Sequence, residues 1–282
     1  MVGQYEKPRI DAIRKVIRNA GTILVGTAGA NLLGLHSIAI FTHAMGPKIF
    51  GYYVLMLTFI EVIDRLFNFQ TWQAFIKYAI DFQVKNENHN VRMLLKYCFL
   101  IDLMSLTVAF FVAFLSAEFF IGYFDIPIEH SNLVAFLSVS LLFKVFEVST
   151  GVFRIFDEFR IQAKIVFYSA FIKFILFCFV YMKGSSFDDF IYASVSTQLI
   201  TMLIKFVCAT RVLSQNGYEI VNILREPVDH QLIKKLKIFS FIVYNNFDVA
   251  IRMVSRQLDI VILGKLYGSE VVGIYRIVKE VS

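Results

Sequence analysis

The chain has 282 residues, of which 57% are hydrophobic and 18% charged, and its net charge is +6. Soluble domains are about a quarter charged, and the mean hydropathy of +0.65 excludes water as the main solvent of this chain. The positive charge does not require a nucleic-acid partner, because membrane proteins collect lysine and arginine in their cytoplasmic loops. The three cysteines lie within apolar blocks without metal-ligand spacing, so we expect neither a metal site nor a cofactor.

The apolar residues form continuous blocks that are long enough to cross a hydrocarbon core of about 30 Å. They lack the period-two alternation of membrane barrel strands. The sequence therefore predicts an all-α polytopic membrane protein, preceded by a cytoplasmic amphipathic segment at residues 1–20. Seven spans and the start of an eighth are predicted at residues 21–45, 50–78, 94–122, 133–153, 161–182, 187–210, 238–263 and from 271 onward.

The connections between successive spans are alternately rich and poor in basic residues. This pattern predicts a plasma (inner) membrane protein with a cytoplasmic N-terminus. We interpret residues 21–212 as a first six-span lobe and residues 213–237 as a polar cytoplasmic linker between lobes. Residues 238–282 would then begin a second lobe that is truncated within its second span. We expect a longer protein with at least twelve spans.

An internal repeat supports this interpretation. Residues 46–53 and 268–275 both read G-x4-G-x-Y, and both follow a predicted span at the outer surface. Glycine permits tight turns, and tyrosine is common at membrane interfaces. The two matches indicate a parallel duplication of a six-helix unit, the kind of repeat seen in transporters.

The seventh span carries four charges, Asp248, Arg252, Arg256 and Asp259, whose spacing places them on one stripe of a helix. Each charge costs about 2.5 to 3.5 kcal/mol at the centre of a bilayer. One interpretation is a hydrated cavity in which the guanidinium groups contact a phosphate or pyrophosphate. The other is a self-neutralising ladder that fixes helix packing. We favour the cavity.

The second span adds three further candidates for substrate binding, Glu61, Asp64 and Arg65, of which Glu61 and Arg65 can pair along one helix. Trp72 follows them. It could stack on a sugar ring, but an interfacial anchor near the end of a helix is an equally good interpretation.

Lysines in the fourth and fifth spans have different expected roles. Lys144 and Glu147 have the spacing of a local ion pair. Lys173 has no local partner, so it is a candidate for a cationic cavity, or it could pair with Asp102 or Glu147 on a neighbouring helix.

Three runs of sequence resemble the polysaccharide export family of oligosaccharide-lipid flippases: residues 44–53, residues 68–78, and residues 258–264 together with Gly268, Gly273 and Tyr275. This family belongs to a superfamily that also contains the multidrug and toxin extrusion antiporters and the lipid II flippases. The resemblance implies two six-helix lobes around a central cationic cavity, alternating access, and a substrate linked to undecaprenyl pyrophosphate. It places the family's seventh-helix charges on Arg252, Arg256 and Asp259.

These observations predict a transporter, not an enzyme, that moves an O-antigen or other surface polysaccharide repeat unit to the outer leaflet. Its expected partners are the lipid-linked oligosaccharide, membrane lipid and the polysaccharide polymerase machinery. One alternative, a drug or cation antiporter, would be expected to carry a carboxylate in the first span, where none is present. Another, a glycan polymerase or ligase, would need a sizeable external loop. A non-transporting scaffold is a third alternative.

Overall fold

The computed structural model describes residues 3–184 and 186–281, and within them the side chains of residues 17–184, 186–253 and 257–280. The described chain is helical throughout, apart from turns and one short 3-10 segment at Ile128–His130. Its α-helices are α1 (Gly3–Phe67), α2 (Trp72–Val84), α3 (Asn88–Leu115), α4 (Ala117–Tyr123), α5 (Ser131–Leu142), α6 (Ser149–Ile155), α7 (Phe159–Met182), α8 (Phe187–Gln215), α9 (Ile220–Arg225), α10 (His230–Lys235) and α11 (Ile238–Val281).

Four segments of the described chain are long and apolar enough to cross a membrane, and the first of them contains two predicted spans. The segments are Ile17–Val84, Asn88–Leu115, Phe159–Met182 and Phe187–Gln215. The predicted seventh span and the start of the eighth lie in α11, which is long enough to cross but carries the charged stripe. The chain is thus a polytopic helical membrane protein, whereas its division into two lobes stays a prediction.

The prediction of a continuous fourth span at residues 133–153 was wrong. Helix α5 ends at Leu142, turns occupy residues 143–148, and α6 begins at Ser149. The hydroxyl of Ser149 donates a hydrogen bond of 2.6 Å to the carbonyl oxygen of Phe146, which satisfies one acceptor that the interrupted helix leaves free. The interruption holds two charged residues, Lys144 and Glu147, whose contacts with α1 are described below.

The two predicted glycine turns are bends in long helices, and they have the same backbone conformation. Gly46 bends α1 with φ 78° and ψ 166°, and Gly268 bends α11 with φ 79° and ψ 176°. Other residues rarely adopt these positive φ values, so glycine is required at both bends. Each of the two helices therefore folds back sharply at one end of the bundle.

The two bends also pack against each other. A Cβ atom on Gly51 would lie 1.7 Å from the carbonyl oxygen of Ser269, and one on Gly273 would lie 2.2 Å from that of Pro47. Gly51 corresponds to Gly273 in the repeat, and Pro47 corresponds to Ser269. The contact is therefore reciprocal, as expected for two equivalent motifs related by a rotation.

Substituting Gly51 with alanine should destabilise the protein, because the added methyl group would meet backbone rather than a movable side chain. Overpacking of this kind costs about 1 to 3 kcal/mol. A lower thermal unfolding midpoint of the purified protein would show the loss. Gly21→Ala, in the same helix with nothing within 4 Å of the new Cβ, is the matched control and should not lower the midpoint. Equal midpoints for the two variants would contradict the close approach.

The buried apolar residues form two cores, and a short run of buried polar residues separates them along the chain where α1 ends. The first core includes Phe41, Phe50 and Ile63, and the second begins at Ala74. Between Ile63 and Ala74 come four buried polar residues, Asp64, Asn68, Gln70 and Thr71. Buried polar groups need partners, and Asp64, Asn68 and Thr71 find theirs on α3 and at the interruption between α5 and α6.

The predicted linker, residues 213–237, is folded onto the first part of the bundle. Glu226 accepts a hydrogen bond of 2.5 Å from Nε of Arg92. Nζ of Lys96 donates to the carbonyl oxygens of Leu224 and Glu226. Because α3 anchors the linker, the chain enters α11 from a fixed position.

Candidate substrate-binding site

Two adjoining cavities lie along the contact between α1 and α11, and they share Glu61. The first has a volume of about 150 Å³, and its polar lining consists of Glu61, Arg65, Arg252 and Gln257. Glu61 and Arg65 come from the second half of α1, and the other two residues come from α11. The structure therefore brings three of the residues predicted to bind substrate, Glu61, Arg65 and Arg252, to one place.

The second cavity has a volume of about 230 Å³ and extends from Glu61 toward α7 and the end of α11. Its charged lining is completed by Lys173 from α7 and by Arg276 and Glu280 from α11. Asn31 from α1 is among its polar residues. Together the two cavities present four cations against two carboxylates.

Glu61 connects the helices that form the cavities. Its Oε2 accepts a hydrogen bond of 2.9 Å from Nε2 of Gln257. Among the described side chains this contact takes the place of the predicted ion pair with Arg65. Arg65 is consequently left lining the cavity with its guanidinium group available to a ligand.

Lys173 is the candidate whose environment most clearly calls for an anion. Its Nζ lies 5.7 Å from the ring centroid of Tyr53 and 5.2 Å from that of Phe177. Among the described side chains, no carboxylate is within the 4.0 Å of an ion pair. Cation–π contacts contribute about 0.5 to 2 kcal/mol, less than the cost of about 2.5 to 3.5 kcal/mol for a charge at mid-bilayer. An anionic ligand would offset the difference.

The charged stripe of the seventh span is divided between two environments. Arg252 forms an ion pair with Asp248 one turn before it, and both side chains are more than half exposed. Asp259 accepts hydrogen bonds of 2.5 Å from Tyr275 and 2.6 Å from Lys279, both beyond the bend of α11. The side chain of Arg256 lies outside the described residues. Arg252 therefore forms an ion pair along its own helix and also lines the first cavity.

Asp64 does not line either cavity. It is 2% exposed, its Oδ2 lies 2.7 Å from Nζ of Lys144, and its Oδ1 accepts a hydrogen bond from Asn68. The predicted local pair of Lys144 with Glu147 was wrong, because Lys144 pairs with Asp64 and Glu147 accepts a hydrogen bond of 2.7 Å from Asn68. The interruption of the fourth span allows Lys144 to reach α1 and Glu147 to reach the turn that follows α1.

Removing one member of this pair should lower stability. Lys144→Met leaves the carboxylate of Asp64 buried without its cation, which costs about 3 to 5 kcal/mol in a fully buried pair. Since the Lys144 side chain is 33% exposed, we expect about 2 kcal/mol. A thermal unfolding series measures the effect. The double variant Asp64→Asn with Lys144→Met should recover most of the loss, and a double variant as unstable as the two single losses combined would contradict the pairing.

Trp72 also lies away from the two cavities. The guanidinium carbon of Arg154 is 4.3 Å from the centroid of its ring. A Cβ atom on Gly151 would meet the backbone of Trp72 at 3.0 Å, so α2 and α6 are in close contact here. One face of the indole is therefore covered by a cation, which fits an anchoring role better than stacking on a sugar.

Sequence reasoning missed several polar residues of the cavities, among them Gln257, Arg276 and Glu280. Arg276 and Glu280 form an ion pair one helical turn apart, a spacing that is common on any exposed helix. Gln257 lies beside the charged stripe without belonging to its period. The available signal was the presence of polar residues within a long apolar stretch. The cavities, however, form only where α11 packs against α1 and α7, which are distant from α11 in sequence.

The fold and these cavities define a multi-pass helical membrane protein with charged residues gathered between its helices. The sequence profile of the polysaccharide biosynthesis protein family matches residues 16–282, and the chain belongs to that family. The resemblance predicted from the sequence motifs is thereby confirmed.

One curated relative shows a more limited similarity. The inner membrane protein YghQ of Escherichia coli strain K12 is 29% identical over 98 residues, which are 35% of this chain and 28% of the relative. The chain thus matches less than a third of the length of that protein. No solved structure matches the chain.

Proposed function

We propose that the protein flips a lipid-linked oligosaccharide, a surface polysaccharide repeat unit on undecaprenyl pyrophosphate, from the cytoplasmic to the outer leaflet of the plasma (inner) membrane. The observation that carries this proposal is the excess of cations in the two cavities between α1, α7 and α11. Membership of the polysaccharide biosynthesis family supports a glycan-related substrate.

The lining residues suit a pyrophosphate bearing a sugar. Arg65 and Arg252 can each offer a planar fork of donors to phosphate oxygens, and Lys173 adds a compact positive charge. Glu61 accepts a hydrogen bond from Gln257, and Glu280 forms an ion pair with Arg276. These contacts hold the two donor side chains in place at the cavity wall. The polar contacts would fix the anionic head group, while the polyprenyl chain stays in the surrounding lipid.

Alternating access would require α11 to move relative to α1. The reciprocal packing of the glycine bends holds the two helices together at one end. Toward the opposite end of the second half of α1, Nδ2 of Asn246 donates a hydrogen bond of 2.9 Å to the carbonyl oxygen of Asn68. The cavities lie between these contacts, so releasing one contact while keeping the other would open the site to one leaflet at a time.

In this proposal residues 21–212 form the first lobe and residues 238–282 begin the second. The basic connections support a cytoplasmic N-terminus, and polysaccharide polymerase machinery would receive the flipped product. A drug or cation antiporter fits the cavities less well, because an excess of cations repels a cationic substrate.

Deleting the gene for this protein tests the function. Surface polysaccharide should be lost, and the lipid-linked repeat unit should accumulate where an external glycosidase cannot reach it. Re-expression of the full-length protein should restore the surface polysaccharide and remove the accumulated lipid-linked repeat unit. A polymerase would give a different result, since single repeat units would then reach the surface. Normal surface polymer in the deletion strain would contradict the proposal.

A further inference from the structure

A second group of charged residues lies within the first lobe, apart from the two cavities described above. The carboxyl of Asp102 on α3 is fully buried, and its Oδ1 accepts a hydrogen bond of 2.9 Å from the hydroxyl of Thr71. The backbone N–H groups of Val148 and Thr71 also approach this carboxyl. Its Oδ2 nevertheless makes no hydrogen bond with any described residue.

The charges around Asp102 do not balance. Asp64 and Lys144 form an ion pair, which leaves Asp102 and Glu147 as two carboxyls that repel each other electrostatically. Lys205, on α8, lines the same cavity as Glu147 and Lys144. Three carboxyls thus lie near two ammonium groups, and a buried carboxylate without a cation is costly in a membrane interior.

The remaining groups near Asp102 do not supply the missing charge. The thiol of Cys98, one turn earlier on α3, points to the carbonyl oxygen of Thr71 at 3.7 Å. Asn68 is neutral and bridges Asp64 to Glu147. The neutral hydroxyl of Thr71 is already used as a donor to Oδ1.

We propose that Asp102 is a proton-binding site and that Glu147 carries protons between Asp102 and the cavity beside it. In each transfer the carboxylic acid of Glu147 gives its proton to the carboxylate of Asp102. Glu147 becomes a carboxylate and takes a new proton from a hydronium ion in the cavity, which is left as neutral water. The reverse sequence releases the proton.

The cavity provides a route for the proton. It has a volume of about 160 Å³, which is sufficient for several water molecules. Its polar lining consists of Lys144, Glu147, Ser169, Gln198, Thr201 and Lys205. The hydroxyl groups of Ser169 and Thr201 lie 2.7 Å apart, so water in this cavity would have polar partners along the wall. Glu147 thus lines the cavity and is also close enough to the buried carboxyl of Asp102 for the two charges to interact.

Infrared difference spectroscopy on the full-length protein in lipid nanodiscs tests the proposal without any substrate. The wild-type protein should show the carbonyl stretch of a protonated carboxylic acid at neutral pH, and this band should disappear on transfer to alkaline buffer. Asp102→Asn should abolish the band. Glu118→Gln, which alters an exposed carboxyl on α4, should leave it unchanged. A band that is identical in wild type and Asp102→Asn, or absent from both, would overturn the site.

A second variant keeps the test informative if Asp102→Asn does not fold. Glu147→Gln should retain the band but slow its response to a jump in pH by about tenfold or more, since the carrier is lost. An unchanged response would overturn the role of Glu147. Proton binding stands independently of flipping, whereas a role in driving transport rests on the proposed function. A confirmed band in a protein that flips nothing would separate the two.

Discussion

Replacing Lys173 with methionine is expected to lower transport strongly while leaving the protein folded. Methionine keeps the length of the side chain and removes its charge. A hydrogen bond to a charged group contributes about 1.5 to 3 kcal/mol, which corresponds to about a tenfold to hundredfold loss in affinity. Since Lys173 has no carboxylate partner among the described side chains, its removal should not destabilise the bundle.

The appearance of the repeat unit in the outer leaflet measures this effect, with protein level in the membrane measured beside it. Lys183→Met is the matched control, because Lys183 is exposed just after the same helix and contacts Phe179. Transport should be normal in that variant. Normal transport by Lys173→Met at normal protein level would show that the second cavity does not bind the substrate.

Replacing Arg252 with glutamine should lower transport by about tenfold to hundredfold for the same reason. The alternative to substrate binding is that Arg252 only stabilises the packing of α11, because it also forms an ion pair with Asp248. The pair is more than half exposed, so its contribution to stability is about 1 kcal/mol at most. The loss of transport should therefore exceed any loss of stability.

Two further variants separate binding from packing at Arg252. Asp248→Asn removes the partner but keeps the guanidinium, and it should transport nearly normally if binding is the role. Arg252→Lys keeps the charge but loses the planar fork, so partial activity is expected. If Asp248→Asn and Arg252→Gln were equally impaired, and equally destabilised, the ladder interpretation would replace the binding one.

The features that the sequence could predict depend on local chemistry. The bends at Gly46 and Gly268 were predictable because a positive φ almost requires glycine. The repeated motif also predicted that the bends are equivalent, and the reciprocal contacts of Gly51 and Gly273 agree with that equivalence. Long apolar blocks predicted most of the membrane helices, since length and composition alone decide whether a helix can cross.

The contacts between distant segments could not be predicted in the same way. A lysine three residues before a glutamate predicts a local pair, but the partner of Lys144 is Asp64, 80 positions away. The apolar composition of residues 133–153 hid the interruption that makes this contact possible. Helical periodicity describes one helix at a time, and the interruption is a property of how several helices pack.

The candidate site shows the same division. Arg252, Glu61, Arg65 and Lys173 were identified because charges are costly in membrane helices. Their grouping around Glu61 depends on the packing of α1, α7 and α11. That packing also separates Asp64 and Trp72 from the cavities, although both are close to Arg65 in sequence.

The most direct measurement of the central claim compares two substrates in vesicles that contain the purified full-length protein. One is an oligosaccharide on a polyprenyl pyrophosphate, and the other is the same oligosaccharide on a neutral polyprenyl lipid. If the cations of the cavities bind the head group, the pyrophosphate compound should cross the bilayer, the neutral compound should not, and Lys173→Met should slow the transfer strongly. Equal transfer of both lipids, or transfer unaffected by Lys173→Met, would contradict the account.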